Sequence, residues 1–460
     1  MFSRKSASFS IAFVAALLVS RGIAWAGSTQ HSQTWLVASD IHLDPYARSA
    51  DPSLVGSDTN DKLLRATIAQ MKAAVPNPAV VLLPGDFLAH EFASLARKGG
   101  AATPDDEGIA TMRTIASAFD KAFPHAQFAI AIGNNDAPCG DYRSAFGSAY
   151  LAAVARVWEP LVNRNRAAPN FARSLARDGS YTASLPLPAL RLAVVDDVPL
   201  SNIYFGNCGG ADVAAQTQLD ELSAALSSAP AGMRTVVMMH LPPGYDALMT
   251  QTSHGFFPFI FLKSRDNDAL LATLSAPQNR VAFAVSGHSH RFDLRLAGSV
   301  PVVVFGAISP VEHNNPAFYA LHVAPDGSIR DIDLYAYDEW SQEWQPPRSF
   351  DAKWGTGAVD GAAIAALHAR LERDPAMRAT WSAQSNGYPS NRAIARTAWG
   401  PGWRVAWCAQ AELAAGFARC AGIETRARLL PLLVAAGILG LLALAAGLVV
   451  LARRIARMVS

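Results

Sequence analysis

The 460-residue chain has few charged residues and no excess of positive ones. Asp, Glu, Lys and Arg make up 17% of the sequence, and 39 Lys and Arg against 37 Asp and Glu leave a formal net charge of +2. A protein that binds nucleic acid needs a basic surface, so this balance predicts no nucleic-acid partner. The hydrophobic share of 51% excludes a largely disordered chain. Internal repeats and low-complexity tracts are absent as well, which excludes a repeat protein.

Cysteine is also scarce, with four residues at 139, 208, 408 and 420. No C-x-x-C pair occurs among them, which argues against a structural zinc site. An even number of cysteines in an exported chain predicts disulfides, with three pairings open. We expect Cys139–Cys208 and Cys408–Cys420, because the first pair lies beside predicted site loops and the second pair shares a helical tail.

Export itself is predicted from the N-terminal segment. A basic start precedes the short apolar run 11–19, and Ala24-Trp25-Ala26 follows as a small-residue cleavage site. This is the pattern of a signal peptide over residues 1–26. An uncleaved anchor is the alternative, but Arg21 interrupts the apolar run well short of the roughly 20 residues that a membrane span needs.

The C-terminal segment predicts a membrane anchor. Residues 429–452 contain no charged side chain and are followed by the basic tail 453–460. A run of this length matches a transmembrane helix, and the basic cluster after it is typical of a cytoplasmic stop signal. We therefore expect a protein held to a membrane by one helix, with its body outside the cytoplasm. A bacterial periplasmic face is the favoured location, and a eukaryotic secretory route stays open.

Between the termini, short apolar runs alternate with helical patterns. Five runs end in polar clusters, and two more do not: they are 35–39, 80–83, 128–132, 235–239 and 281–285, with 192–195 and 302–305. Helical patterns lie between them at 61–75, 108–123 and 212–228. Near-continuous apolar runs predict strands buried on both faces, and their alternation with helices predicts an α/β fold. In such a sheet, functional groups gather beyond the carboxyl ends of the strands.

From about residue 346 the pattern changes. A loop-like stretch at 346–358 precedes helical patterns at 361–373, 391–399 and 404–421. We therefore divide the chain into a catalytic domain at 31–345 and a helical extension at 346–428, followed by the predicted span.

The polar clusters after the five runs carry side chains that bind metals. The motifs are Asp40-x-His42, Gly85-Asp86, Gly133-Asn134, His240 and Gly287-His288-x-His290. Imidazole and carboxylate groups together suit zinc, iron or manganese. Two metals close together need a bridging carboxylate with further ligands on either side, and this set could supply both.

In this order the motifs resemble the calcineurin-like metallophosphoesterase superfamily, whose blocks are D-x-H, G-D, G-N-H-[DE], H and G-H-x-H. The longer segments 40–45, 85–90, 240–244 and 314–318 are similar to its acid-sphingomyelinase-like branch. That branch includes sphingomyelin phosphodiesterases, nucleotide phosphodiesterases and endopolyphosphatases. The resemblance covers about 35–345 and implies a four-layer α/β/β/α sandwich with a helical C-terminal extension.

The resemblance also implies two metal positions that share a bridging Asp86. One would be held by Asp40, His42, Asp86 and His290. The other would be held by Asp86, Asn134, His240 and His288. We expect two divalent ions, zinc first and manganese or iron as alternatives. A hydroxide between them would attack phosphorus in line.

One position departs from the family pattern. Asn135 stands where the third block has a histidine, and an amide is no general acid. His90, four residues after Asp86, matches a second histidine of the branch and is our candidate acid. The alternative is that His90 is an outer-shell or surface residue. Asn135 is a candidate donor to a phosphate oxygen, and Asp136 is expected to orient a ligand histidine.

Three functions remain open from the sequence. The first is a phosphodiesterase acting on a lipid head group or a nucleotide derivative. The second is an endopolyphosphatase-like hydrolase, which Asn135 favours because a good leaving group depends less on an acid. The near-neutral net charge gives little support to such a polyanion partner. The third is a non-catalytic metal-binding membrane protein. No protein partner follows from the sequence.

Overall fold

The computed structural model describes residues 32–49, 51–209, 212–253, 256–392, 396–423, 435, 437–449 and 451–452. All of these belong to one compact unit, Ser32–Ser460. The predicted signal peptide at 1–26 and the predicted basic tail at 453–460 lie outside the described residues, and both stay predictions.

The predicted membrane helix at 429–452 lies only partly within the described residues. Residues 437–449 are helical there, and their side chains are exposed. Across the part of the chain that the structure describes, no helix has both the length and the apolar character to cross a membrane. The structure therefore gives the predicted anchor no support.

Seven strands lie at the predicted apolar runs, and further strands lie between and after them, the longest of 7 and 10 residues. In chain order they are β1 (Gln33–Val37), β2 (Val80–Leu83), β3 (Gln127–Ile130), β4 (Tyr181–Ser184), β5 (Leu190–Val194), β6 (Arg234–Met238), β7 (Tyr245–Asp246), β8 (Phe259–Ile260), β9 (Val281–Ser286), β10 (Asp293–Ala297), β11 (Val300–Val304), β12 (Ala317–Val323), β13 (Ile329–Asp338), β14 (Glu343–Trp344) and β15 (Arg348–Ser349).

The helices lie between these strands and after them. In chain order they are α1 (Asp61–Ala74), α2 (Phe92–Gly99), α3 (Pro104–Ala122), α4 (Ala149–Val162), α5 (Phe171–Asp178), α6 (Ala215–Ser227), α7 (Ala247–Thr252), α8 (Ser264–Ser275), α9 (Phe350–Trp354), α10 (Gly361–Arg373), α11 (Pro375–Ser385), α12 (Trp403–Ala411) and α13 (Phe417–Cys420). Side-chain caps mark several starts: Asn60 accepts a hydrogen bond from the Leu63 N–H, and Thr103 accepts one from the Asp106 N–H.

Two large sheets form the centre of the molecule. One is seven-stranded, in the order β14-β13-β12-β1-β2-β3 with β15 on β13, and the other is six-stranded, in the order β10-β11-β9-β6-β5-β4. Strands β1, β2 and β3 run parallel, as do β5, β6, β9 and β11. The parallel strands of each sheet therefore have their carboxyl ends at the same edge. In the six-stranded sheet they lie between the antiparallel strands β10 and β4, and in the seven-stranded sheet they lie at one end, beside the antiparallel strand β12.

The two sheets pack face to face with helices outside them. Trp35 of β1 lies against Phe283 of β9, with ring centroids 6.3 Å apart. On the outer face of the first sheet, Phe119 of α3 meets Phe128 of β3. Helices α6 and α8 cover the second sheet and bury Leu222 and Leu270. The predicted α/β class and the α/β/β/α layering are confirmed. Layers of this kind form because apolar strands must be covered on both faces.

The region after residue 346 differs from its prediction in detail. The pattern at 361–373 forms α10 as expected, but 346–358 contains β15 and α9. The prediction of a helix at 391–399 is wrong for the described residues 391–392 and 396–399. There the Arg396 carbonyl accepts a hydrogen bond from the Arg291 side chain, a contact with a distant part of the chain.

The predicted helix at 404–421 is broken in two, as α12 and α13. The Leu413 carbonyl, between them, accepts a hydrogen bond from the Asn267 side chain, so its backbone serves a tertiary contact. The disulfide Cys408–Cys420 joins the two helices across the break. The predicted pairing of the second cysteine pair is thereby confirmed.

The C-terminal helices share a core with the sheets. Phe292, just before β10, contacts Phe350 of α9 and Trp381 of α11. Trp381 in turn contacts Trp354 and Trp399. The division at residue 345 stays a prediction, and the helices beyond it form part of the wall around the candidate site.

Candidate metal centre

All five predicted motifs leave the carboxyl ends of parallel strands. Asp40 follows β1, Asp86 follows β2, Asn134 follows β3, His240 follows β6 and His288 follows β9. Because the two sheets face each other with these ends together, residues up to 250 positions apart in sequence meet at one place. All seven side chains predicted to bind metal are brought together there.

Five of these residues have a left-handed backbone that is rare for non-glycine residues. The φ angles are 49° at Asp40, 45° at His42, 56° at Asp86, 66° at His288 and 58° at His290. Such a conformation costs on the order of 1–3 kcal/mol per residue and persists only where neighbouring structure holds it. Here the His42 N–H donates to the Asp86 carbonyl and the His288 N–H donates to the Asp40 carboxylate. The motif loops hold one another in place.

The first group of ligands surrounds His42. Its Nε2 lies 3.1 Å from Nε2 of His290 and 3.4 Å from Oδ2 of Asp86, and Nε2 of His290 lies 3.7 Å from Oδ1 of Asp40. All four side chains are buried. The Nδ1 of His42 lies 3.0 Å from the Leu88 carbonyl, which fixes that nitrogen as the donor and leaves Nε2 with a free lone pair.

The second group surrounds His240. Its Nε2 lies 3.2 Å from Oδ2 of Asp86 and 2.9 Å from Oδ1 of Asn134, and its Nδ1 lies 2.9 Å from the Pro84 carbonyl. His288 completes the group, because its ring and the Asp86 and His240 side chains offer ligand atoms within 4.8 Å of one another. Asp86 Oδ2 thus lies between the two groups, in the position that a bridging carboxylate would occupy.

The donor set and its electrostatics fit two divalent cations. Burial lowers the pKa of His42 to about 4 and that of His288 to about 3, so both rings are neutral ligands. Burial raises the pKa of Asp40 to about 7 and outweighs the charge of His240, which lowers it. Burial also lowers the pKa of His240, but the Asp86 carboxylate outweighs it and raises that pKa to about 10. Bound metal ions would place positive charge next to the buried carboxylates Asp40 and Asp86.

Asp136 has a different role from the one expected. Its carboxylate accepts hydrogen bonds from the backbone N–H groups of Asp86, Phe87, Leu88 and Gly133, at 2.7–3.1 Å. It therefore shapes the loop that carries Asp86, and no hydrogen bond joins it to a ligand histidine in the described residues. Gly133 is required beside it, because a Cβ there would collide with the Asp86 carboxylate and backbone.

His90 lies at the edge of the first group. Its ring stacks on His42 with centroids 4.1 Å apart, and its Nδ1 and backbone N–H each lie 2.9 Å from the Asp58 carboxylate. Burial lowers the pKa of His90, but the hydrogen bond and charge of Asp58 outweigh burial and raise it to about 9. His90, His42 and His290 also offer ligand atoms within 4.8 Å of one another. Asp58 was not predicted, since nothing in the sequence links it to a residue 32 positions away.

Asn135 is engaged with the bridging carboxylate. Its side-chain Nδ2 donates to Asp86 Oδ2 and its backbone N–H donates to Asp86 Oδ1, both at 2.8 Å. Its side-chain oxygen is buried and has no hydrogen-bond partner in the described structure. One amide hydrogen of Asn135 is therefore used by Asp86, and the second would have to make the predicted hydrogen bond to a phosphate oxygen.

A cleft of about 420 Å³ opens beside the two groups. Apolar and aromatic side chains form much of its wall, among them Ile203, Met249, Phe259, Phe261 and Trp399. Charged side chains line it as well, and carboxylates outnumber guanidinium groups: they are Asp141, Asp246, Asp293 and Glu312 against Arg291 and Arg295.

Both arginines in the cleft are already paired with protein groups. Arg291 donates to the carbonyls of Ser289, Glu312 and Arg396 and to the Asn386 side chain. The Phe292 N–H donates to the Ser385 carbonyl at 2.9 Å. The loop with His288 and His290 is thus tied to the C-terminal helices. Arg295 donates to the Pro243 carbonyl and lies 3.5 Å from Asp293.

The disulfide Cys139–Cys208 connects two loops whose residues Tyr142 and Ile203 line the cleft. It joins the segment after Asn135 to the segment after the short 3₁₀ helix Val198–Leu200. The predicted pairing of these two cysteines is thereby confirmed. The pair lies next to Tyr142, whose hydroxyl is 3.4 Å from Nε2 of His288. Tyr142 belongs to none of the five predicted motifs.

The seven side chains offer the donors of a centre for two divalent metal ions. No family model matches the chain. A curated protein, sphingomyelinase phosphodiesterase D of Dictyostelium discoideum, is 25% identical over 295 residues, which are 62% of this chain and 61% of that protein. The chain therefore spans less than two thirds of the length of this relative.

Two solved structures are more distant. A dimetal phosphatase from Danio rerio is 14% identical with a TM-score of 0.44, over 70% of this chain and 99% of that one. GAP50, the anchor in the inner membrane complex of Plasmodium, is 12% identical with a TM-score of 0.37, over 69% of this chain and 88% of that one.

Proposed function

We propose that this protein is a metal-dependent phosphodiesterase whose substrate carries an apolar or aromatic organic group. The observation that carries the proposal is the pair of ligand groups that meet at Asp86, within reach of an open cleft. Two divalent metal ions bound there would polarise the phosphoryl oxygens and lower the pKa of a bound water. Asp40, His42, Asp86 and His290 would hold one ion, and Asp86, Asn134, His240 and His288 the other.

The chemistry of the cleft favours an organic phosphodiester over polyphosphate. A polyanion needs free cationic groups, but Arg291 and Arg295 are paired with carbonyls and Asp293. The carboxylates around them would repel a chain of phosphates. In contrast, Ile203, Met249 and Phe259 are 47%, 43% and 40% exposed and offer contact area to an apolar substituent. The polyphosphate function, which Asn135 favours, is the second candidate.

Export from the cytoplasm is part of the proposal. Disulfides persist in oxidising compartments, and both cysteine pairs form one here. The predicted signal peptide agrees with them. Attachment to a membrane through 429–452 rests on the sequence pattern.

The test compares two substrates on the purified full-length chain loaded with zinc or manganese. We expect turnover of bis(p-nitrophenyl) phosphate that EDTA abolishes and that added metal restores. Long-chain polyphosphate should be cleaved at least about tenfold more slowly, since both arginines of the cleft are paired with protein groups. Cleavage of polyphosphate alone would contradict the phosphodiesterase proposal and support the second candidate. No metal-dependent turnover of either substrate would contradict both.

His90 is proposed as the proton donor to the leaving oxygen, with Asp58 holding the ring in orientation. In His90→Asn, kcat for a diester with an alkyl leaving group should fall by about 10²–10⁴-fold, the usual contribution of a general acid. With a p-nitrophenyl leaving group the loss should be less than about tenfold, because that group departs without a proton.

The matched control for His90→Asn is His322→Asn, since His322 forms the same kind of pair with Asp333, at 2.9 Å, outside the cleft. It should leave both rates unchanged. Equal losses with the two leaving groups in His90→Asn would show that His90 binds metal or substrate and donates no proton.

A further inference from the structure

Tyr142 contacts two residues that the proposed centre assigns to the same metal. Its backbone N–H donates to the Asn134 carbonyl at 2.7 Å, and its hydroxyl lies 3.4 Å from Nε2 of His288. Its ring meets the His288 ring edge to face, with centroids 6.0 Å apart. The side chain lines the cleft, so its hydroxyl lies in the cleft beside the predicted ligand His288.

The backbone at Tyr142 is held in an unfavourable conformation. Its φ is 53°, in the left-handed region that bulky residues avoid. The surrounding loops hold it there: the Phe205 N–H donates to the Tyr142 carbonyl at 2.9 Å, and the Ser144 N–H donates to the Gly206 carbonyl at 3.2 Å. The disulfide Cys139–Cys208 joins the same two loops. Strain retained in this way marks a residue whose placement is specified by several contacts at once.

The hydroxyl has the chemistry of a hydrogen-bond donor at this place. A phenol O–H is an uncharged hydrogen-bond donor at neutral pH. The residue at 135 that supplies a donor in related motifs is an asparagine here, and its amide is bound to Asp86. Tyr142 therefore offers an uncharged donor on the side of the cleft formed by Asn134 and His288.

We propose that Tyr142 is a catalytic residue whose O–H donates a hydrogen bond to a phosphoryl oxygen of the bound substrate. This inference rests on the proposed function. Negative charge on the phosphoryl oxygens is balanced by donors fixed in advance, and such donors contribute most when they need no reorganisation. The loops that hold Tyr142 supply that fixed placement. The phenol keeps its proton throughout, so the step adds a hydrogen bond and transfers nothing.

The test is Tyr142→Phe in the full-length, metal-loaded chain, because phenylalanine keeps the ring and removes the hydroxyl alone. We expect kcat/KM for bis(p-nitrophenyl) phosphate to fall by about 10²-fold, near the lower end of the loss when one oxyanion donor is removed. The Kd for inorganic phosphate, measured by calorimetry, should rise by about tenfold, the equivalent of one lost hydrogen bond to a charged group. The metal content per chain should stay at the wild-type value.

Tyr204→Phe is the control, since Tyr204 lies on the disulfide-linked loops, with Lys263 5.4 Å from its ring centroid. It should leave both quantities unchanged. Wild-type kcat/KM and phosphate affinity in Tyr142→Phe would overturn the inference. A loss of one metal, with activity restored by excess metal, would also overturn it, since Tyr142 would then only position His288.

Failure of the proposed function gives a different result. Wild-type protein would then not turn over bis(p-nitrophenyl) phosphate, whatever residue stands at 142. The phosphate titration would still compare wild type with Tyr142→Phe, and equal affinities would overturn the contact with the phosphoryl oxygen.

Discussion

Asp86→Asn is expected to abolish hydrolysis and to lower metal binding at both positions. Asp86 Oδ2 lies 3.4 Å from Nε2 of His42 and 3.2 Å from Nε2 of His240, so one carboxylate serves both ligand groups. An amide removes the negative charge between the two cations and directs N–H groups at one of them. Changes to outer-shell partners already cost about 10–100-fold, so a bridging ligand should cost more than about 100-fold in kcat/KM.

The measurement for Asp86→Asn combines metal content per chain with kcat/KM for bis(p-nitrophenyl) phosphate. Asp333→Asn is the matched control, because that carboxylate pairs with a histidine outside the cleft. It should behave like wild type in both assays. Wild-type turnover in Asp86→Asn would contradict an enzymatic role for this centre. If Asp86→Asn lost metal and the wild type itself showed no turnover, the non-catalytic metal-binding function would be favoured instead.

Asp136→Ala is expected to have the largest effect on stability. The Asp136 carboxylate accepts four backbone N–H groups at 2.7–3.1 Å, and all of them are buried. Taking about 1 kcal/mol for each donor left without a partner, the free energy of unfolding should fall by about 4 kcal/mol. The loop that carries Asp86 would lose its shape, so metal binding should weaken as well.

Urea denaturation of the metal-free chain measures this loss for Asp136→Ala apart from metal binding. Asp136→Asn keeps one carbonyl oxygen and the shape of the side chain, so it should lose less than the alanine variant. Asp333→Ala removes a partly exposed ion pair and should cost about 1 kcal/mol or less. A loss in Asp136→Ala no larger than in that control would contradict the structural role assigned to Asp136.

The correction at Asp136 shows what a motif conveys and what it omits. The block Gly133–Asp136 places two asparagines and an aspartate together after β3, and all three have roles at the site. The motif does not indicate that the Asp136 carboxylate accepts hydrogen bonds from the backbone of residues 86–88, in the loop that follows the neighbouring strand β2. That choice depends on the pairing of β2 with β3 and on the approach of Gly133 to Asp86.

The helical extension shows the same limit at a larger scale. Its pattern predicted α10 to the residue, because an amphipathic helix buries one face whatever it packs against. The stretch at 391–399 also has a helical composition, but part of its backbone binds Arg291. Tertiary contacts override local preference where they satisfy a buried charge.

The amino-acid sequence by itself determined seven strands at the apolar runs and the seven side chains that meet beyond the carboxyl ends of five of them. Apolar runs of this kind are stable only when buried on both faces, and parallel strands then bring the motifs to one edge. Only the tertiary structure decided how the centre is completed: Asp58 behind His90, Tyr142 beside His288, and Arg291 under the loop of His288 and His290. These contacts join segments far apart in the chain, and several depend on left-handed backbone at non-glycine residues. Neither feature leaves a local signal in sequence, because both are held by neighbours that the fold alone brings close.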